Sequence, residues 1–440
     1  MSRKLIYLLL VLSLTAYLVS GYYLKRENFW LLITLYSILF ATYFLLLRFK
    51  QDIGLFTGLA AGLICRFVLL FSVPALSDDF YRFLWDGRLQ HLGINPFDYL
   101  PSQVIAQSTD GFLNQLYPYL NSPDYFSVYP QLLQYIFWLA VKLGGENLAN
   151  GVIALKGIIF IFECGSIYLL IKLLKIKLLD PKIALIYILN PLVIIELTGN
   201  IHFEAIMIFF ILLSAYLLEI KQLAGIAGAL TMAIQSKLIP VIAIPLLIKK
   251  FGRIQTFFVG LACLLLFWIS SPYLWGSPDK YLHFFSSLQL YYGKFEFNGS
   301  IYSVLRGLGF LLTGFNLIEW ISKLMILLTI FSFLYIYRSG ISFLKGFYWL
   351  MVVYLIFSAV VHPWYLAILV ALSPFVSYRF ALIWAAFIPL SYITYASLPY
   401  SQNYWLIGLE YLAVASFAVY ESRHQLKNAK SLTVAADHCS

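Results

Sequence analysis

The sequence predicts an all-α, polytopic integral membrane protein with about 14 transmembrane helices, and three observations lead to that prediction. Of the 440 residues, 62% are hydrophobic and only 11% are charged, whereas soluble domains have about 45–50% apolar and about 25% charged residues. The apolar residues fall in runs, and one membrane-spanning helix needs about 20 of them. Residues 77–150 form the longest interruption, a predicted extracytoplasmic loop. This composition excludes a soluble globular protein, a disordered chain and a disulfide scaffold.

The apolar runs define the predicted elements in chain order. They lie near residues 5–24, 29–47, 54–76, 151–172, 182–198, 203–220, 223–248, 254–273, 318–337, 345–361, 364–378, 380–397 and 403–420. The run 223–248 contains Gln235, Ser236 and Lys237 in its middle, and we expect two short helices there with Lys237 near the tip of the hairpin. A backbone break at membrane depth is tolerated only where it lines a cavity or is buried in protein. The apolar piece 131–143 is too short for a span, and we place it along the outer surface.

Lysine and arginine orient these spans, because the cytoplasmic loops of membrane proteins are enriched in both. The chain has 30 Lys+Arg against 20 Asp+Glu, a net charge of +10. Clusters that fit the cytoplasmic side are Arg3/Lys4, Arg48/Lys50, Lys172/Lys175/Lys177/Lys182, Lys221, Lys249/Lys250/Arg253, Arg338/Lys345, Arg379 and Arg423/Lys427/Lys430. Both termini are then cytoplasmic and residues 77–150 face outward, with Lys25 and Arg26 as exceptions in the first outer turn. No basic block exceeds a few residues, so the charge favours the lipid bilayer over nucleic acid as a partner.

The outer loop concentrates acidic residues. Between residues 77 and 130 it contains Asp78, Asp79, Asp86, Asp98, Asp110 and Asp124, with Arg82 and Arg88 as its basic residues. Asp78 and Asp79 directly follow a predicted span, where a carboxylate near lipid headgroups can be a general base for a substrate hydroxyl or hold a divalent cation. Asp79, Arg82 and Asp86 share one face if the segment is helical. The alternative is a solvated acidic loop in which Asp79 and Arg82 form a surface pair.

Further polar residues fall near the predicted outer ends of the apolar runs. They are Tyr129, Asn200, His202, Glu204, Lys237, Arg306, His362, Trp364 and Tyr365. Ionisable groups at membrane depth are costly and are therefore functional candidates, and the predicted topology places all of them on the side of Asp79. We expect one outward-facing polar cavity. Each residue also has a structural alternative: His202 as a core histidine, Glu204 in a local salt bridge, Lys237 reaching the surface, and His362 at a helix end.

The remaining features suggest no chemistry. The cysteines Cys65, Cys164, Cys263 and Cys439 have no metal-ligand spacing, and we expect packed free thiols and no metal site from them. The sequon at residues 298–300 matters only in a cell that glycosylates such loops. The sequence contains no Gly-rich phosphate loop, dinucleotide fingerprint, HExxH or GxSxG motif, so a soluble nucleotide-sugar site is not supported.

Several of these residues together resemble a known family. Residues 77–88, followed by 93–97, are similar to the first-loop signature of GT-C glycosyltransferases, and most similar to bacterial polytopic mannosyltransferase-like members that use polyprenyl-phosphate sugars. Other elements that resemble family motifs are Tyr129-Pro130 (with Gln131 in place of a second proline), Asn190-Pro191-Leu192, Gly199-Asn200-Ile201-His202-Phe203-Glu204, Lys237-Leu238-Ile239-Pro240 and His362-Pro363-Trp364-Tyr365. The resemblance covers residues 54–378.

The resemblance implies a GT-C-like fold in three parts: an N-terminal transmembrane hairpin (residues 1–53), a catalytic module (54–273) that includes the outer loop 77–150, and an outer loop with C-terminal transmembrane helices (274–440). It implies an inverting glycosyltransferase that moves mannose or another hexose from a polyprenyl-phosphate donor. The acceptor would be a glycan, a glycolipid or a protein on the outer side of a bacterial inner membrane. No cofactor is required, because lipid phosphate is the leaving group, although a divalent cation at Asp78 and Asp79 stays an alternative.

The resemblance and the residue chemistry together suggest roles for the candidates. Asp79, or its neighbour Asp78, is expected to take the proton from the acceptor hydroxyl. The residues expected to bind the donor phosphate are Lys237, Arg306, His202 and His362. The residues expected to position substrate are Arg82, Asp86, Arg88, Tyr129, Glu204, Trp364 and Tyr365. Two other classes stay open: a secondary transporter or lipid flippase, which would explain the spans and the buried ionisable groups, and a non-catalytic scaffold protein.

Overall fold

The computed structural model of the chain describes residues 2–437, and for residues 290–294 and 426–437 it describes only the backbone. The described chain is helical, which confirms the all-α prediction. Its only extended pairing consists of isolated bridges from Phe297 and Asn298 to Val360. Cys439 lies outside the described residues.

The helices follow the apolar runs, and proline or glycine interrupts many of them. The α-helices are α1 (Arg3–Tyr22), α2 (Phe29–Arg48), α3 (Lys50–Ile53), α4 (Leu55–Leu69), α5 (Asp79–His91), α6 (Pro101–Ile105), α7 (Gly111–Leu116), α8 (Gln131–Gly144), α9 (Leu148–Ile176), α10 (Leu185–Ile188), α11 (Pro191–Val193), α12 (Glu204–Glu219), α13 (Leu223–Ser236), α14 (Ile248–Ile269), α15 (Pro278–Lys294), α16 (Ile301–Thr313), α17 (Ile318–Arg338), α18 (Phe343–Phe357), α19 (Ala367–Leu372), α20 (Phe380–Phe387) and α21 (Tyr404–Asp437). Short 3-10 segments are Tyr117–Tyr119, Pro181–Ala184, Ile239–Leu247, Pro272–Leu274, Pro363–Leu366, Ser373–Phe375 and Ile388–Tyr395, and Ile194–Gly199 is π-helical.

Several helices are able to cross a membrane, which agrees with an integral membrane protein. By length and composition, 5 helices of the described chain qualify: Arg3–Tyr22, Phe29–Arg48, Leu148–Ile176, Ile239–Ile269 and Ile318–Arg338. The pair Pro181–Ile188 and Pro191–Gly199, bent by 53°, would be one more. Other apolar helices have only 10–17 residues, which is shorter than the about 20 residues of one span. The number of spans, about 14, therefore stays a prediction.

The N-terminal hairpin of α1 and α2 packs directly into the bundle. Ser13 and Thr42 share a buried hydrogen bond of 2.9 Å between the two helices. From α2, the Tyr43 hydroxyl donates to the carbonyl of Ile186 at 2.8 Å, and the Tyr36 hydroxyl donates to Glu196 at 2.8 Å. These buried bonds join the hairpin to the segment that leads into the polar residues 199–204.

A buried ion pair supports the bend in the broken helix 181–199. Arg66 of α4 and Glu163 of α9, both fully buried, are paired at 2.8 Å. Arg66 also donates to the carbonyl of Ile188 at 2.7 Å, which lies just before the break at Pro191. Thr198, on the other side of the break, donates to Glu163. Because a buried carbonyl without a partner is costly, this network stabilises the bend and thereby orients the residues that follow it.

Helix α8, which we expected along the outer surface, packs one face against α5 and leaves the other exposed. Phe137 is fully buried, while Tyr135 and Leu143 are 43% and 66% exposed. Gly87 of α5 is where the two helices meet, because a Cβ at this position would lie 2.4 Å from the Phe137 carbonyl oxygen. The close contact fixes α5, and hence its first residue Asp79, against the rest of the bundle.

The run 223–248 breaks at the predicted place. α13 ends at Ser236, Lys237 has an extended backbone (φ −161°, ψ 134°), and a 3-10 segment begins at Ile239. The break at Lys237 is therefore confirmed. The segment that follows it, Ile239–Ile269, is long and apolar enough to be a single span, so the hairpin of two short helices stays a prediction.

Candidate active site

The two adjacent aspartates lie at the start of α5, and Asn200 holds the segment before them. The side-chain oxygen of Asn200 accepts hydrogen bonds from the backbone N–H groups of Ala75 and Leu76 at 3.1 and 2.9 Å. The side-chain N–H of Asn200 donates to the carbonyl of Ile195 at 3.0 Å. The motif Gly199–Glu204 therefore contacts the residues directly before the first-loop motif (77–88). Asp79 is the first residue of α5, where the positive end of the helix favours a carboxylate.

Asp78 is paired with Arg26, one of the two basic residues that depart from the charge pattern of the predicted cytoplasmic loops. The Arg26 guanidinium lies 2.7 Å from the Asp78 carboxylate and 4.6 Å above the ring of Tyr395. A pocket of ≈ 530 Å³ beside Asp78 is lined by residues of the turn between α1 and α2, Lys25 and Arg26 among them, and by residues near the end of α4. Two positive charges in a turn predicted to lie on the outer side, where such residues are depleted, were the signal that could have identified this turn.

Asp79 makes a different set of contacts. The Asn121 amide donates to its carboxylate at 2.7 Å, and its own N–H bonds to the Ser77 hydroxyl at 3.3 Å. Burial, with help from the neighbouring charges of Asp78 and Glu204, raises the pKa of Asp79 above its ordinary value. A carboxylate with a raised pKa is a stronger base than an exposed aspartate, which suits proton abstraction from a hydroxyl.

The predicted partner Arg82 bonds Asp86 rather than Asp79. Arg82 and Asp86, both buried, are paired at 2.8 Å, and Arg82 also donates to the carbonyls of Ser122 and Tyr125 at 3.0 Å. Ser127 donates to Asp86 at 2.5 Å. These bonds hold the loop around α5, and a contact of either side chain with substrate stays a prediction.

Arg88, another predicted positioning residue, stabilises the same loop. It lies 2.5 Å from Asp110 and 2.6 Å from Glu146. Asp110 also caps α7 by accepting the N–H of Leu113 at 2.8 Å. Burial alone would raise the pKa of Asp110, but these hydrogen bonds outweigh burial and lower it below its ordinary value.

Lys237, in the break after α13, and Glu204, the first residue of α12, form an ion pair. The Lys237 ammonium contacts the Glu204 carboxylate and lies 3.7 Å over the ring of Tyr365. The Lys237 side chain is 31% exposed while that of Glu204 is 5% exposed. The lysine therefore has an open side, and a negatively charged substrate group can reach it.

His202 and His362 stack on the two faces of one tryptophan. Trp364 lies 3.8 Å from the His202 ring and 4.4 Å from the His362 ring, with interplanar angles of 12° and 4°. His202 Nδ1 bonds the carbonyl of Glu196 at 2.8 Å. Its Nε2 and the Nδ1 of His362 are buried without a hydrogen-bond partner in the described structure. Burial lowers the pKa of both imidazoles, which favours their neutral forms.

Aromatic contacts join these groups into one region. Tyr395, under Arg26, contacts Phe297 at 5.8 Å, and Phe297 stacks on His362 at 4.6 Å. Tyr365, under Lys237, lies 5.4 Å from His362. The structure thus brings Asp78, Glu204, Lys237, His202, His362, Trp364 and Tyr365 into one connected set, with Asp79 beside Asp78.

Two further candidates contact residues other than the members of this set. Arg306 pairs with Glu296 at 2.7 Å and lies 4.9 Å over the Phe310 ring. Tyr129 packs edge-on against Phe83 at 5.1 Å. Asn298, in the sequon, is buried and its amide donates to Glu410 at 3.1 Å, so its nitrogen is not accessible to a glycosylating enzyme.

The described residues contain no group of three or more His, Cys, Asp or Glu side chains that could hold a metal ion. Two acidic side chains, Asp78 and Asp79, are adjacent, and one of them is already neutralised by Arg26. A divalent cation there would have to compete with the guanidinium for Asp78.

Comparison of the sequence with known proteins identifies two matches. The family model described as alpha-(1→6)-mannopyranosyltransferase, N-terminal domain, matches residues 29–252. Alpha-(1→6)-mannopyranosyltransferase A of Corynebacterium glutamicum is 23% identical over 185 residues, which cover 41% of this chain and 36% of that relative. The match thus spans well under half of the relative's length. No solved structure matches.

Proposed function

This chain belongs to the alpha-(1→6)-mannopyranosyltransferase family, and we propose that it transfers mannose or another hexose from a polyprenyl-phosphate donor to a glycan, glycolipid or protein acceptor on the extracytoplasmic side of the membrane. Membership supports a membrane-embedded glycosyltransferase in general terms. The donor, the acceptor class and the side of the membrane belong to our proposal.

The observation that carries the proposal is the difference between two adjacent carboxylates. Asp78 is neutralised by Arg26 at 2.7 Å, while Asp79 is hydrogen-bonded by Asn121 and has a raised pKa because of burial. A general base must be ionised yet basic enough to accept a proton from a hydroxyl. Asp79 fits that requirement better than Asp78, so we assign Asp79 as the base.

The leaving group would be received by the basic residues around the Trp364 stack. In an inverting transfer the acceptor oxygen forms a bond to the anomeric carbon while the bond from that carbon to the phosphate oxygen breaks. Asp79 takes the hydroxyl proton, and the bonding electron pair leaves with the lipid phosphate. Lys237 would stabilise the growing negative charge, because a preorganised positive group acts most strongly where water is excluded. His202 and His362, whose buried imidazoles favour the neutral form, would add to this stabilisation in their protonated forms.

A transfer assay tests this proposal. Membranes that contain wild-type protein, Asp79→Asn, Asp78→Asn or Asp124→Asn at matched expression are incubated with radiolabelled polyprenyl-phosphate mannose and a pool of lipid and glycan acceptors. We expect transfer by the wild type and about 10²–10⁴-fold less by the Asp79 variant, with smaller losses for Asp78→Asn. Asp124→Asn, in the same loop, should match the wild type.

Two results would contradict parts of the proposal separately. Equal transfer by wild type and Asp79→Asn would remove Asp79 as the base. If the wild type transferred no mannose or other hexose from any polyprenyl-phosphate donor but used a nucleotide-activated sugar, the donor class would be wrong.

A further inference from the structure

A second pocket lies at the end of the bundle opposite to the candidate active site. Helix α9 begins at Leu148, close to the first outer loop, and continues for 29 residues to Ile176. Since an α-helix rises 1.5 Å per residue, its ends are about 40 Å apart. Beyond that far end, Lys177 lines a pocket of ≈ 250 Å³ with Glu219, Lys249, Lys250 and Ser342. No residue assigned to the reaction contributes to it.

The pocket carries an excess of positive charge. Lys177 lies 2.6 Å and Lys250 3.7 Å from the two oxygens of the Glu219 carboxylate. One carboxylate is thus shared by two ammonium groups. Lys249 also lines the pocket, and it has no charged partner among the described residues. Three lysines and one glutamate leave two positive charges without a counter-ion.

Hydrogen bonds and ion pairs hold two of the three lysines, Lys177 and Lys250, at the pocket. Lys250 also donates to the carbonyl of Leu218 at 2.6 Å, and the side chains of Lys177 and Lys250 are only 30% and 34% exposed. Helix α18 adds to the positive potential, because its first residue Phe343 and the preceding Ser342 line the pocket. The first N–H groups of an α-helix have no partner within the helix and favour an anion.

The remaining walls are apolar and lie next to exposed apolar side chains. Leu218, Leu246 and Leu344 line the pocket. Next to the lysines in sequence, Leu178 and Ile248 are 93% and 42% exposed. An exposed leucine beside lysines is typical of the boundary between headgroups and acyl chains, where Lys side chains reach towards the aqueous side.

We propose that this pocket binds a phosphate group through Lys177, Lys249 and Lys250, and that the headgroup of an anionic lipid supplies it. A phosphodiester or phosphomonoester carries one or two negative charges, which matches the excess in the pocket. Basic pockets between transmembrane helices bind anionic headgroups in this way. The apolar walls fit a group that is attached to acyl chains, and a free phosphate ion is the other source of the same chemistry. The inference does not depend on the proposed transfer reaction.

Lipid retention by the purified full-length protein tests the proposal. Detergent-solubilised protein is mixed with phosphatidylglycerol or with phosphatidylcholine of the same acyl chains, and bound lipid is counted by native mass spectrometry. We expect wild type to retain phosphatidylglycerol in preference. The variant Lys249→Ala/Lys250→Ala should bind it at least about tenfold more weakly, since each lysine near a charged headgroup contributes about fivefold. It keeps the Lys177–Glu219 pair, and its Tm should stay near that of wild type.

Two variants and one competitor complete the experiment. Lys175→Ala, on the same helix two residues before Lys177 but outside the pocket, should retain the lipid like wild type. Lys249→Arg/Lys250→Arg should also retain it. Inorganic phosphate at constant ionic strength separates the sources: competition at millimolar concentration would support the site and add a soluble ligand, while no competition would support the lipid alone. Equal retention by the double alanine variant and Lys175→Ala, or equal retention of both lipids by wild type, would overturn the proposal.

Discussion

Lys237 is the candidate cation whose surroundings are best defined. It contacts Glu204 and covers the ring of Tyr365. Removing Lys237 alone would leave the buried Glu204 carboxylate without its partner, which destabilises a protein for reasons unrelated to catalysis. The informative variant is therefore Lys237→Met/Glu204→Gln. We expect its kcat/KM for the polyprenyl-phosphate donor to fall about 10²-fold, with little change in Tm, because developing charge on the phosphate would lose its main counter-charge.

The matched control for that experiment is Lys237→Arg, which keeps the charge and the pairing with Glu204. It should retain more activity than the double variant. An unchanged dependence of the rate on donor concentration in the double variant would remove Lys237 from the donor site.

Arg26 provides a second prediction at the scale of single residues. Its guanidinium neutralises Asp78 directly beside the proposed base and packs on Tyr395. Arg26→Gln leaves two adjacent carboxylates without a counter-charge, and like charges this close repel. We expect transfer to fall about tenfold, and we expect Arg26→Lys to restore most of it. In the double variant Arg26→Gln/Asp78→Asn the repulsion is gone, so its activity should exceed that of Arg26→Gln. A double variant as inactive as the single one would contradict this explanation.

At the scale of helices, the cap of α7 should give the outer loop a pH-dependent stability. The hydrogen bonds from Arg88 and Leu113 lower the pKa of Asp110 from its ordinary value of 3.8. A group whose pKa is lowered by folding stabilises the folded state at pH values above its unfolded pKa, and this contribution is lost as pH falls through the folded value. Asn can still cap α7, but it loses the negative charge that accepts the hydrogen bonds of Arg88. Asp110→Asn should therefore cost about 1 kcal/mol near neutral pH, and the difference from wild type should shrink below about pH 4.

Thermal unfolding of wild type and Asp110→Asn between pH 3 and pH 7 measures that difference. Glu146→Gln is the control, because Glu146 also contacts Arg88 but its side chain is 60% exposed, and exposed pairs contribute little. A stability difference for Asp110→Asn that grew as the pH fell would contradict the assignment.

Sequence patterns predicted those helical features that depend on neighbouring residues. The polar interruption at Lys237 predicted a break between two short helices, and the structure contains that break. The spacing of Asp79, Arg82 and Asp86 predicted a shared face, and Arg82 does bond Asp86 four residues on. The sequence could not predict whether Arg82 pairs with Asp79 or with Asp86. The groups that hold this pair, the Tyr125 carbonyl bonded by Arg82 and the Ser127 hydroxyl bonded to Asp86, come from a part of the loop about 40 residues away in sequence.

Contacts between distant segments explain what the sequence could not show for the molecule as a whole. The first hairpin looked like an addition before the family-like region, yet Arg26 pairs with Asp78 and Tyr36 donates to Glu196. Nothing in a periodic apolar run specifies which other run it packs against, since lipid-facing and buried faces are equally apolar. Charge distribution did contain a hint, because the two cations of the first outer turn departed from the pattern that orients the other loops.

The orientation of the whole molecule gives the last prediction. The first loop and the far end of α9 should lie on opposite sides of the membrane, because α9 is 29 residues long and apolar enough to cross it. Thr109→Cys probes the loop and Lys175→Cys the far end, and both side chains are exposed. In a background without Cys439 and without Cys164, which is only partly buried, a membrane-impermeant maleimide should label Thr109→Cys in intact cells and Lys175→Cys only after permeabilisation. Cys65 and Cys263 are buried and should stay unlabelled. The reverse pattern would place Asp79 on the cytoplasmic side, and a lipid-linked donor in the outer leaflet could then not reach it.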